Sequence, residues 1–94
     1  MRLLRWNGAS WTLEIVGKGA YSSVGFDPLG TLHISYGPSD ATGMAVTHWN
    51  GAAWETVLVD TESPRWITDL KFDPAGKPSV SYGTPTAMKL ARKL

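Results

Sequence analysis

A chain of 94 residues with a formal net charge of +1 has the size of one small domain and no basic surface suited to nucleic acid. Hydrophobic residues make up 43% and charged residues 18%, the balance of an ordered globular chain rather than a disordered one. Cysteine is absent, which excludes disulfide staples and thiolate metal sites, and no apolar run approaches the roughly 20 residues that cross a bilayer.

The opening MRLLRWNGAS has basic residues but no apolar core segment, so no signal peptide is expected. RWNGASW, residues 5–11, places Asn7-Gly8 at a hairpin turn between two short strands. SSVGF and TLHISY then flank the turn FDPLG, where Pro28 presets the first central position and Gly30 supplies positive φ. Leu32, Ile34 and Tyr36 alternate with His33 and Ser35, so the two sets occupy opposite faces of a strand. MAVTHWNGAAWETVLV brings a second Asn-Gly turn at Asn50-Gly51. After the loop TESPRWITD, residues 61–69, DLKF and PSVSY flank FDPAG, with Pro74 and Gly76 in the roles of Pro28 and Gly30. TAMKLARKL at the end could pass for a basic amphipathic helix, but its match to residues 1–6 predicts a strand. The chain reads as all-β.

It also reads as a repeat. Trp6, Asn7, Gly8 and Trp11 recur at Trp49, Asn50, Gly51 and Trp54, and GFDPLGTLHISYG recurs as KFDPAGKPSVSYG. MRLLRW, MAVTHW and MKLARK open successive units of about 44 residues: 1–43, 44–87 and a partial third at 88–94. Four short strands at that period are the signature of β-propeller blades. The phrases W-N-G-x-x-W and F-D-P-x-G-x-x-x-[IV]-S-Y resemble those of a group of bacterial repeat propellers, many of them secreted. That resemblance implies a fold and little chemistry, and it leaves localisation unknown. By analogy with propellers, residues 1–16 are the outer strands of one blade, 22–59 a complete blade and 67–94 the inner strands of another.

Two blades alone would leave apolar sheet faces in water, at about 25 cal/mol per Å². The expected remedy is a ring closed by copies of the same chain, three in preference to four, giving six blades in preference to eight. MRLLRW and MKLARK then compete for one strand position per junction. The N-terminal copy is expected to hold it, with residues 88–94 frayed or lying outside. The alternative is an excised or engineered propeller piece.

For function, the repeated tryptophans Trp6, Trp11, Trp49 and Trp54 read first as wedges between blades and second as platforms for sugar rings. Arg5, His48 and Arg92 recur as one basic residue per unit, either paired with carboxylates such as Glu14 and Glu55 or offering hydroxyl and anion donors. The loop at 61–69 departs from the repeat, so Arg65 and Trp66, with Tyr21, form the candidate site outside the repeated positions. The assembly plan is similar to that of small fucose-binding propeller lectins, which implies glycan partners. Those lectins hold the sugar with an arginine and a glutamate; the corresponding positions here are Ser35 and Val46, then Ser81 and Leu90. Only His33 and His48 are of a residue type that could act in acid–base chemistry near neutral pH, neither lies in a motif with a nucleophile, and carboxylates show no metal-ligand spacing. Asp27 and Asp73 read as turn residues bonding their own backbone. The expectation is a non-catalytic binding module without cofactor or metal, its partners being further copies of itself and glycans, with neither nucleic acid nor membrane. A ligand-free scaffold or a protein-interaction platform is the alternative.

Overall fold

The computed structural model describes residues 1–39 and 42–93. Its nine strands form three antiparallel sheets, and no helix occurs among the described residues. β1 (Arg2–Trp6) and β2 (Trp11–Ile15) make a hairpin. β3 (Gly19–Phe26), β4 (Leu32–Pro38), β5 (Met44–Trp49) and β6 (Trp54–Asp60) make a four-stranded meander. β7 (Asp69–Phe72), β8 (Pro78–Gly83) and β9 (Met88–Arg92) make the third sheet. The protein is all-β, and its three sheets cover residues 2–15, 19–60 and 69–92.

Local chemistry sets each turn. The Asn7 side-chain carbonyl accepts from the backbone N–H groups of Ala9 and Ser10, both at 2.9 Å, and Asn50 does the same for Ala52 and Ala53 at 2.8 Å. Each Asn-Gly pair therefore opens a four-residue loop stitched by its own asparagine. Asp27 accepts from the N–H groups of Leu29 and Thr31, and Asp73 from that of Lys77. Gly30 and Gly76 carry φ of 83° and 85°, the left-handed conformation that makes these turns close.

The sheets are layered. Leu3, Arg5, Thr12 and Glu14 alternate onto one face of the first hairpin, and Glu14 accepts from the Trp54 indole N–H of the second sheet at 2.8 Å. The opposite face of the second sheet meets the third: the His33 and Phe72 rings lie 4.7 Å apart, tilted. The main core sits between these two sheets, where Met44, Leu70, Val80 and Tyr82 are buried, with Val46, Phe72 and Ala91 packed around them.

Both faces of β4 are consequently covered. Leu32, Ile34 and Tyr36 are buried as the alternation predicts, but Ser35 on the other face is fully buried as well. Its hydroxyl reaches Thr68 Oγ1 at 2.7 Å, and Thr68 donates to the Tyr21 carbonyl at 2.8 Å. A β-bulge between Ala20 and Ser23 brings that carbonyl into place, with Tyr21 at a φ of 59°.

Within the single chain the strand position shared by MRLLRW and MKLARK is filled by the C-terminal copy: β9 pairs with β8 from Ser79↔Arg92 to Gly83↔Met88. Three features hold it there. Ala91 packs against the core, the Lys93 N–H donates to the Pro78 carbonyl at 3.0 Å, and Lys89 is gripped by two carboxylates. Leu94 lies outside the described residues.

Those carboxylates belong to a polar lock between the second and third sheets. Asp60, ending β6, accepts from the Tyr82 hydroxyl at 2.7 Å and from Lys89 Nζ at 3.0 Å, while Glu62 Oε1 lies 2.9 Å from the same ammonium. The Glu62 backbone N–H, the Tyr82 hydroxyl and the Lys89 ammonium hold the Asp60 carboxyl down at about 2, and burial followed by the Asp60 charge pushes the Tyr82 phenol up to about 12. Asp60 therefore adds stability that is complete above its unfolded value of 3.8 and disappears as pH falls toward about 2. Thermal melts taken from about pH 5 down to about pH 2 should show a loss in the wild type that is smaller in Asp60→Asn, which starts less stable.

Candidate functional site

A polar concavity lies where the first hairpin meets the second sheet. It encloses about 680 Å³, open to solvent, between Arg5, Phe26, Asp27, His33, His48 and Trp49. Strand alternation brings Arg5 onto the hairpin face that looks toward the second sheet. The Asn50 loop ends the strand that carries Trp49.

His33 and His48 are register partners on β4 and β5, and their rings stack with centroids 5.2 Å apart and planes 23° from parallel. Each imidazole meets a carboxylate. His33 Nε2 donates to Asp27 Oδ2 at 3.1 Å, and His48 Nε2 lies 3.3 Å from Glu55 Oε2. Asp27 is held below its usual carboxylate range by the Thr31 backbone N–H first, with His33 and Leu29 adding to it. A turn aspartate that closes its own loop with one oxygen thus orients a histidine with the other. The histidine pair also forms the wall of a second groove of about 540 Å³, between the second and third sheets, lined by Val46, Val57, Val59, Val80 and Ala91.

The structure gathers three of the sequence-derived candidates, Arg5, His48 and Trp49, around the first cavity. His48 takes the expected carboxylate, Glu55. Arg5 does not pair with Glu14, because the hairpin register sets Arg5 opposite Thr12 and Glu14 serves Trp54.

Among the tryptophans, Trp49 and Trp54 are cross-strand partners in an edge-to-face arrangement at 5.6 Å, and Trp54 alone reaches the neighbouring sheet through its hydrogen bond to Glu14. Trp6 and Trp11 form the same pair at 5.5 Å but stand in water, 57% and 65% exposed, so within one chain they wedge nothing.

The remaining three candidates form no common pocket with these. Trp66 lies over Gly83, where a side chain would overlap its ring, and the Arg65 N–H donates to the Gly83 carbonyl at 2.7 Å. Tyr21 contributes its carbonyl to Thr68 while its ring stays half exposed. Asp69 and Lys71, which flank this loop, pair with each other at 3.7 Å and are exposed.

Sequence reasoning missed Asp60, Glu62, Tyr82 and Lys89 as a unit, and it read Asp27 as a turn residue alone. The available signal was weak: Tyr82 occupies the position of Tyr36, and Asp60 occupies that of Gly17. No protein-family model, curated protein or solved structure matches the chain.

Proposed function

We propose that the chain is a two-blade segment of a β-propeller whose ring is completed by further copies, three in preference to four, and that it acts as a non-catalytic, multivalent glycan-binding module. The observation that carries the binding reading is the cavity around Trp49. A tryptophan, an arginine, two histidines and an aspartate line about 680 Å³ of open space, a set that suits a neutral sugar with C–H faces and hydroxyls. Arg5 supplies donors and Asp27 an acceptor. With Leu29, Thr31 and His33 donating to Asp27, that aspartate keeps about one acceptor site, since an ionised carboxylate offers about four lone-pair sites.

The ring supplies the multivalency. One shallow site of this kind binds weakly, and a closed assembly repeats it at fixed spacing, so that avidity raises the affinity for a clustered glycan. The layering of a hairpin, a full meander and a three-stranded sheet, each face-on to the next, supports the blade reading.

The test is a glycan array followed by tryptophan fluorescence titration of any hit. Trp49→Ala should weaken the bound sugar by about 10-fold, the loss of one stacking contact; because it also breaks the pair with Trp54, the titration is made at a temperature where the variant stays folded. An array that stays blank at high protein concentration removes the glycan reading and leaves the scaffold.

A further inference from the structure

We propose that β9 is a displaceable placeholder, and that in the assembly its position on β8 is taken by the β1–β2 hairpin of a second copy. This rests on the ring reading and names the contact that closes it. The register is the first support. In the complete sheet β4 receives β5 as Tyr36↔Ala45, Ser35↔Val46, Ile34↔Thr47 and His33↔His48. The third sheet repeats it with β9, as Tyr82↔Lys89, Ser81↔Leu90, Val80↔Ala91 and Ser79↔Arg92. MRLLRW matches both MAVTHW and MKLARK, so β1 offers Arg2, Leu3, Leu4 and Arg5 to the same four positions.

Charge and shape agree with that register. Opposite Tyr82 the slot needs a cation for Asp60 and Glu62; β9 provides Lys89 and β1 would provide Arg2, which is exposed and forms no ion pair among the described residues. Opposite Val80, β9 provides only Ala91, and beside it runs the apolar groove of about 540 Å³ lined by Val46, Val57, Val59 and Val80. β1 would place Leu4 there. Leu4, Leu13 and Ile15 lie on one face of the hairpin and are 61%, 60% and 75% exposed, while Val57, across the groove, is 60% exposed. Two uncovered apolar faces of one molecule thus fit each other in a second copy.

The exchange keeps the β8 ladder, replacing one strand with another in the same register. It adds a second strand, β2, and covers the Trp6–Trp11 face. β9 brings neither, and its Met88 and Leu90 remain largely exposed. The opposite hairpin face still meets its own second sheet through Glu14, so each hairpin would lie between two copies.

The chain contains no cysteine, so introduced thiols report unambiguously. Leu3→Cys/Ser81→Cys tests the exchanged contact, and Ser81→Cys/Leu90→Cys locks β9 in place; both pairs are bridged with a short bifunctional thiol reagent and read by native mass and reducing-agent-dependent gel mobility. The expected result is a closed wild-type assembly, a 3–81 bridge joining different chains, and a locked variant needing at least about 10-fold higher concentration to assemble. An assembly that forms equally well with β9 locked overturns the exchange and leaves the ring standing, as does a 3–81 bridge confined to one chain. A wild type that stays single at all concentrations removes the ring and the exchange together.

Discussion

Leu70→Ala should cost about 2–5 kcal/mol of unfolding free energy, the range for a leucine truncated in a close-packed core. Leu70 is 2% exposed and sits in the cluster that joins the second and third sheets, with Met44, Val80 and Tyr82. The site cannot easily collapse around a smaller side chain. Gly25 of β3 meets Leu70 with backbone rather than with an adjustable side chain, and Val80 is held opposite Leu70 by the β7–β8 register. A domain of this size has about 5–15 kcal/mol in all, so the variant would be strongly destabilised. Urea unfolding measured at equal protein concentration checks it, with Leu70→Met as the volume-conserving control expected to lose less than about 1.5 kcal/mol. A loss below about 1 kcal/mol in the alanine variant would mean that the two sheets share no core there.

Gly43→Ala should be nearly as damaging, for a different reason. Gly43 has a φ of 123°, outside the regions open to a residue with a Cβ, and a methyl group there would run into the Asp60 carbonyl and the Leu58 side chain. Strain of this kind costs about 1–3 kcal/mol before any clash is relieved. Relief requires β6 to shift at Asp60, the residue that accepts from Tyr82 and Lys89. The two costs are therefore coupled, and we expect a midpoint lowered by about 10 °C or more, taking several degrees per kcal/mol for a chain this short. In an Asp60→Asn background the same glycine substitution should cost less, because part of what it disturbs is already gone. Equal losses in both backgrounds would separate the two sites.

Much of the fold was legible because its turns are local. Asn7, Asn50, Asp27 and Asp73 each bond backbone groups two to four residues away, so their effect needs nothing beyond the neighbouring sequence. The alternation in TLHISYG likewise placed Leu32, Ile34 and Tyr36 on one buried face. The burial of Ser35 was not legible. Alternation puts this serine on the other face without saying what covers it, and it is Thr68, 33 positions away, that meets its hydroxyl. The pairing of residues 88–92 within one chain was not legible for the same kind of reason. A lost Asn-Gly hairpin and tryptophan pointed to the N-terminal copy, whereas Lys89 is held by Asp60 and Glu62, both far away in the chain.

The candidate site divides along that line too. Arg5, His48 and Trp49 were found because repetition marked them, and repetition is visible in one dimension. His33 and Asp27 were read separately, as a strand residue and a turn residue. Their bond depends on the turn folding back over the strand that follows it.

By itself, then, the sequence determined the strands, the turns and the order in which sheets begin and end, since these follow from side chains acting on adjacent backbone and from a period of two. Only the tertiary structure decided which faces are covered, which carboxylate meets which histidine or lysine, and which apolar surfaces are left in water. Those outcomes depend on contacts between residues tens of positions apart, whose geometry exists only once the sheets have stacked.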